Sequence, residues 1–274
     1  MDVRERLAAF PPARLAYRVR VGWHERAAMR RRPHEALRWL ATGRELANFS
    51  YELANVDELA AFTARTAGAP GEDVRRLFAE LDGDEELREA LRRRLRTRAA
   101  TRDSEPRYAG RRMWYALVRL QRPAAIGELG VHDGLGTAVL LRAVERNAAE
   151  GFPGRVLGFD VAPRAGWLVG PEQAHLLTHH AGDVRETLPR ALAETPVQLT
   201  IHDTIKDYEH ETFELETVLR HATAPVTVIS RDASTSGALR ALCERRGERY
   251  ATFEERTRDH WWPGGEYGVA VLEP

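Results

Sequence analysis

Ala125-Ile126-Gly127-Glu128-Leu129-Gly130-Val131-His132-Asp133-Gly134-Leu135-Gly136-Thr137 is the stretch that decides the fold. An apolar, strand-like run ends at Gly130, glycines recur at 134 and 136, and a helical pattern begins at once. Glycines in such a loop serve a sharp backbone turn or the close approach of another group. Their spacing is G-x-x-x-G-x-G, not the G-x-G-x-x-G of nicotinamide binders, and the chain has no G-x-x-x-x-G-K-[ST] phosphate loop. Glu128 at the strand end would repel a pyrophosphate but suits a cationic amino or sulfonium group. With no ligand, the same residues would serve as a tight strand-to-helix turn.

Outward from this loop the pattern alternates. A helix-like stretch, Arg107–Gln121, is stopped by Pro123. Strand signals follow at Ala124–Gly130, Arg155–Val161, His179–Ala181, Val197–His202 and Val226–Ser230, with helical signals at Thr137–Glu150, Tyr208–Ala222 and Ser236–Arg246. Such alternation predicts an α/β fold, a doubly wound Rossmann-like sheet with helices on both faces. Tyr250–Glu254 and Tyr267–Leu272 are expected to add an antiparallel pair at the sheet edge. Residues 4–98 read as helical with no convincing strand, and Leu87, Leu91 and Leu95 form one stripe of a helix. The Arg92–Arg94 run on that helix reads as a solvated face. The expected division is therefore a helical N-terminal region, 1–106, serving as a cap or in oligomerisation, and a ligand-binding domain, 107–274.

Composition bounds the rest. The 274 residues carry 41 basic and 41 acidic side chains, so no overall charge draws the protein to nucleic acid or an anionic membrane. The balance hides an asymmetry: 24 basic and 18 acidic residues lie in 1–112, against 17 and 23 in 113–274. Cys243 is the only cysteine and excludes an intrachain disulfide and a Cys-based zinc cluster. The opening MDVRERLAAFPP lacks an apolar core, and no apolar run approaches the roughly 18 residues of a membrane helix. A cytoplasmic location is expected.

Two further acids follow strands. Asp160 ends Val156–Asp160, where a carboxylate can accept both ribose hydroxyls, and Asp183 in Gly182-Asp183 follows the next strand, within reach of an adenine amino group. With Glu128 they outline a pocket for a nucleoside with a cationic tail. On these residues, 107–274 resembles a class I S-adenosylmethionine-dependent methyltransferase. Glu128–Thr137 resembles its first motif, Asp160 its acid after the second strand and Gly182-Asp183 its third-strand contact. Within that class the chain is similar to bacterial small-molecule O-methyltransferases of the group that includes macrocin-type sugar methyltransferases, on the stretch Ile201–His210 and on Asn48-Phe49-Ser50-Tyr51.

The resemblance implies S-adenosylmethionine as cofactor, with Glu128, Gly130, His132, Asp133, Gly134, Gly136, Asp160, Asp183 and Tyr51 around it. Asp203, Lys206 and His202 fall at the catalytic strand end and Arg231 toward the acceptor; Trp261 and Trp262, costly to expose on a turn, are expected to pack on the substrate, the N-terminal helical part or a second subunit. Relatives often carry histidine where this chain has Lys206, its only lysine. Lys206 could act as a base or hold an anionic substrate group, and His202 could be a base or a hydrogen-bonded core residue. Asp203 and Asp232 could share a divalent metal, but Arg231 beside them opposes a cation. The expected activity is O-methylation of a small natural-product-type acceptor. Two alternatives keep the scaffold: charge-assisted cyclisation or elimination without methyl transfer, and a non-catalytic partner of another subunit, the chain being a homo- or hetero-oligomer. A nucleic-acid substrate is disfavoured, since no base-flipping motif follows the fourth strand.

Overall fold

The computed structural model describes residues 11–42, 50–97 and 105–274. Its contacts divide the chain into two units. The first comprises the chain up to Val56 with Asp84–Gly110 and Glu255–Gly264, and the second Asp57–Gly83, Arg111–Glu254 and Gly265–Pro274. The sequence pattern places a division at 106/107; the contacts place one at Gly110/Arg111 and group residues 57–83 with the sheet.

In the first unit, α1 (Pro11–His24), α2 (Arg26–Arg31) and α3 (Pro33–Thr42) precede a two-residue strand β1 (Glu52–Leu53). That strand pairs antiparallel with β8 (Thr257–Arg258), Glu52 opposite Arg258. The expectation of no strand before residue 98 is thus corrected; two residues are too few to show alternation in a sequence. Helix α6 (Glu85–Thr97) buries Leu87, Leu91 and Leu95 to 5%, 1% and 6% exposure, as their spacing predicts. Arg88 and Arg92 on the same helix converge on Glu105 at 2.8–3.1 Å, so this arginine-rich face is engaged in ion pairs.

The second unit contains a seven-stranded sheet. Its strands are β2 (Ala125–Leu129), β3 (Arg155–Asp160), β4 (Leu177–Ala181), β5 (Leu199–His202), β6 (Val226–Arg231), β7 (Tyr250–Glu254) and β9 (Glu266–Leu272), in the order β4-β3-β2-β5-β6-β9-β7. Strands β2 to β6 are parallel; β9 lies between β6 and β7, antiparallel to both. Central β2 and β6 are buried along their whole length, as parallel strands covered on both faces must be, whereas edge strands β4 and β7 are largely exposed. Leu129, Phe159, Leu188, Leu215, Val228 and Leu239 belong to the core cluster beside the sheet. The strand order reverses at β2, which pairs with β3 on one side and β5 on the other. In such sheets ligands bind at the carboxyl ends of the strands at that reversal.

Helix α4 (Val56–Ala67) and α5 (Gly71–Asp82) precede α7 (Arg111–Gln121), which carries Arg112, Tyr115 and Arg119. Arg112 Nε donates to both oxygens of Asp82 at 3.0 Å, and the Tyr115 hydroxyl and Arg119 reach Glu80. These bonds tie residues 57–83 to the sheet unit. The helix expected over 236–246 is broken at Gly237, whose φ of 73° separates Ala233–Ser236 from Ala238–Arg246. No described helix is long and apolar enough to cross a membrane.

Candidate active site at the carboxyl ends of the strands

The loop after β2 closes the chain on itself. Gly130 has φ +95°, and a Cβ there would stand 2.3 Å from the Asp203 carbonyl oxygen. On either side the Gly130 amide donates to the Phe159 carbonyl at 2.9 Å, and the Asp203 amide to that of Leu129 at 2.8 Å. Gly134, with φ +89°, opens α8 (Leu135–Ala149), and its Cβ position faces Gly166 at 2.7 Å. The Cβ position of Gly136 is crowded by Trp114 and Glu128. These glycines draw together the loops that follow β2, β3 and β5, and so gather the strand-end side chains. Gly130→Ala should cost about 2–4 kcal/mol of stability, from positive φ and overlap with rigid backbone together. Urea denaturation would read it, and a cost under about 1 kcal/mol would mean that the loops part easily.

The acids after the strands behave differently from one another. Asp160 accepts the His132 amide on one oxygen and the Ala162 amide on the other, both at 2.8 Å, and stays partly exposed. Each oxygen has lone-pair capacity for one more donor. Asp183 is exposed and caps α9 (Val184–Glu194) by accepting the Arg185 amide at 2.8 Å. Asp133 is buried and accepts the Leu135 amide at 3.0 Å. His132, at φ 51°, leaves its ring 64% exposed. Glu128 is the most deeply buried of these acids. It is 2% exposed and accepts the Thr137 hydroxyl at 2.6 Å, and burial pushes its carboxyl up to about 8 against the pull of Thr137 and Arg111. Burial thus disfavours the full negative charge that a cation would call for.

Beyond β5, Asp203 is the hub. Lys206 Nζ donates to its Oδ1 at 3.0 Å, and Arg231 Nη1 lies 3.9 Å from Oδ2. Register explains the pairing: His202 stands opposite Ser230, so Asp203 and Arg231 leave adjacent strands side by side. Burial works to raise the Asp203 carboxyl, but Arg231, Lys206 and Arg111 together hold it below the ordinary aspartate range. Arg111, 5% exposed at the start of α7, is a member of this site that the sequence reading missed; it also faces Glu128 and covers the Trp114 ring at 5.5 Å. Asp232 has φ 52° and lies 3.9 Å from Arg231 Nε. Among the described residues, no group of three or more His, Cys, Asp or Glu side chains is arranged to hold a metal ion.

His202 is fully buried, with Nδ1 2.5 Å from Glu214 Oε2 on α10 (Tyr208–His221) and Nε2 3.6 Å from Glu211 Oε2. It is thus placed as a hydrogen-bonded core residue, with no surface toward a substrate. Glu214 also accepts from the Thr204 hydroxyl at 2.9 Å and lies 3.0 Å from His210, and Glu211 accepts the Ser230 hydroxyl at 2.6 Å and that of Ser236. Both glutamates are fully buried. They grip the residues flanking Asp203 and preceding Arg231. The sequence reading missed them too, because glutamates three apart on a helix read as its solvated face.

Three expected site residues belong to the first unit and pack there. Tyr51 is fully buried, donates to Glu255 and faces His260 at 5.6 Å, so it presents no surface to a nucleoside; Asn48 and Phe49 lie outside the described residues. Trp261 is 2% exposed and packs on Trp39 at 5.2 Å and on Trp262 at 6.1 Å. Of the partners considered for the two tryptophans, the N-terminal helices are the one observed.

At the strand ends of the second unit, Val161 and Ile205 are 77% and 64% exposed beside Asp160 and Lys206. Exposed apolar groups thus lie next to hydrogen-bonding acids at the reversal of strand order.

A model of a methyltransferase domain matches residues 128–233. No curated protein matches the chain. Among solved structures, the chain is similar to an O-methyltransferase from Bacillus cereus in complex with S-adenosylhomocysteine, at 17% identity and TM-score 0.50, over 69% of this chain and 91% of that one. It is also similar to an O-methyltransferase from Streptomyces achromogenes involved in tomaymycin synthesis, in complex with S-adenosylmethionine, at 17% identity and TM-score 0.49, over 69% and 90%. Residues 128–233 thus match a methyltransferase domain in sequence, and the sheet has the fold of the Bacillus cereus O-methyltransferase.

Proposed function

We propose that the protein transfers a methyl group to an oxygen of a small natural-product-type molecule in the cytoplasm. The observation that carries this reading is the strand-end arrangement: Asp160, partly exposed after β3, beside the glycine loop, with Asp203, Lys206 and Arg231 gathered after β5 and β6. The cofactor, when bound, supplies an electrophilic methyl on a sulfonium. In this reading Asp160 holds the ribose, Asp183 the adenine amino group and Val161 the adenine face. The chain's remaining task is to orient the acceptor oxygen and exclude water, work that belongs to the β5 and β6 ends. The helices of residues 1–106 are proposed to cap the acceptor or to join subunits.

Calorimetric titration with S-adenosylhomocysteine tests the cofactor half of the proposal. Micromolar binding is expected, weakened at least tenfold in Asp160→Ala, since a bidentate acceptor for two ribose hydroxyls is lost. Equal binding by both proteins would remove Asp160 from the cofactor site.

A second reading keeps the cofactor but not the transfer. Arg231 and Lys206 could neutralise an anionic leaving group in a cyclisation or elimination. S-adenosylhomocysteine released in proportion to product would exclude it.

A further inference from the structure

We propose that the acceptor oxygen is already anionic when it reacts: the substrate is an acidic oxygen compound, a phenol, enol or carboxylic acid, held by Lys206 and Arg231. The inference rests on the methyl-transfer reading above and names its substrate class.

A neutral alcohol acceptor would need a base of matched proton affinity within reach of its hydroxyl. Among the described residues at the ends of β5 and β6, each candidate base has a partner: Asp207 caps α10 by accepting the His210 amide at 3.0 Å, and Asp232 lies 3.9 Å from Arg231 Nε. Asp203 has one oxygen in the ion pair with Lys206 at 3.0 Å and the other facing Arg231 at 3.9 Å. Cations on both oxygens make it a weak base. Lys206, in that ion pair, is a donor. The His202 ring is fully buried against Glu214 and Glu211. Glu128 is buried beneath the loop on the Thr137 hydroxyl. His132 belongs to the β2 loop on the β3 side, its amide on Asp160 at 2.8 Å.

The same cluster suits an anion. Lys206, Arg231 and Arg111 surround Asp203, with Asp232 as the second nearby carboxylate, on Arg231 Nε at 3.9 Å. Lys206 is partly exposed and able to turn an N–H toward a ligand. Ile205, 64% exposed, and Tyr208, 43% exposed, flank it on the same segment and would cover the apolar body of an aromatic or unsaturated acid. The step balances without a protein base. The acceptor gives its proton to solvent as it ionises against the two cations. Its oxygen then forms the C–O bond to the methyl carbon as the C–S bond breaks, and that bond's electron pair stays on sulfur.

The test uses the full chain saturated with S-adenosylhomocysteine and 4-nitrophenol as probe, whose ionised form is read by its yellow absorbance. Bound probe should ionise at least tenfold more readily than free probe, since an opposite charge within about 4–6 Å strengthens an acid by about tenfold to a thousandfold. Lys206→Gln should lose that gain and Lys206→Arg should keep it, with thermal melts showing both variants folded. In turnover, with S-adenosylmethionine replacing the product, 4-nitrophenol or benzoate should yield S-adenosylhomocysteine and methylated product, and methyl glucoside should not. An unchanged probe ionisation, an effect indifferent to Lys206→Gln, or methylation of the neutral sugar alone would overturn the proposal. Failure of the folded wild-type protein to bind S-adenosylhomocysteine would instead overturn the reading on which it rests.

Discussion

Glu214→Ala should cost about 3–5 kcal/mol of folding stability, the range for removing one partner of a buried charged pair. The side chain is fully buried and serves His202 at 2.5 Å, Thr204 at 2.9 Å and His210 at 3.0 Å. Alanine would leave the buried His202 Nδ1 without its acceptor and a cavity beneath the end of β5. Glu214→Gln keeps the volume and one oxygen, and should cost roughly half as much. Urea denaturation reads both, and a cost under about 1 kcal/mol for alanine would show that the network is dispensable. The pH dependence has a definite sign. Burial raises the Glu214 carboxyl, but His202 and His210 outweigh it, and the folded value lies below the ordinary one. Its contribution is therefore present above the ordinary glutamate range and is lost as pH falls through the folded value. Glu214 raises His210, whose contribution is full below the ordinary histidine value and fades as pH rises through the folded one. Stability from this cluster should thus peak between the two, and Glu214→Ala should flatten the peak.

The network also marks where the sequence could and could not be read. Strands after Pro123 were legible because apolar runs bounded by glycine and proline have few other uses, and β2, β3, β5, β6, β7 and β9 fall within two residues of expectation. The acids at their ends were legible as positions, since strand-end residues of a parallel sheet must face the ligand edge. Their states were not. Glu128 could be placed on β2 from the sequence, but its burial under Thr137 depends on the packing of α8 and α7. Arg111 lies far from Asp203 in sequence and joins it only through that same packing. Glu211 and Glu214 carry no pattern that separates a buried acid from a solvated one; the polar groups facing them, His202, Thr204, His210, Ser230 and Ser236, make their burial tolerable. Tryptophans 261 and 262 were rightly expected to be packed, yet their partner, Trp39, is more than two hundred residues away.

Glu128→Gln should make the protein more stable at alkaline pH by about 2–4 kcal/mol. The carboxyl is pushed up to about 8 by burial, with Asp203 and Asp133 adding to the effect and Thr137 and Arg111 opposing it. Between the ordinary glutamate value and about 8 the folded protein holds a proton that the unfolded chain has released, so stability is lost as pH rises through that window and is level above it. Every tenfold gain in proton affinity on folding corresponds to about 1.4 kcal/mol, which bounds the effect from above. Glutamine is neutral at every pH and can still accept the Thr137 hydroxyl that now lies 2.6 Å from Glu128. The variant should therefore match wild type near pH 4 and exceed it near pH 9, with a shallower fall in stability between. Equal slopes in the two proteins would mean that the carboxylate is charged in the fold, balanced by Arg111. Calorimetry on the same variant then separates structure from binding. If Glu128 stays buried under the loop, S-adenosylhomocysteine should bind Glu128→Gln within about threefold of wild type. A loss of tenfold or more would mean that the carboxylate turns toward the amino group of the ligand and ionises there, giving the cofactor a counter-charge at the expense of a stable resting fold.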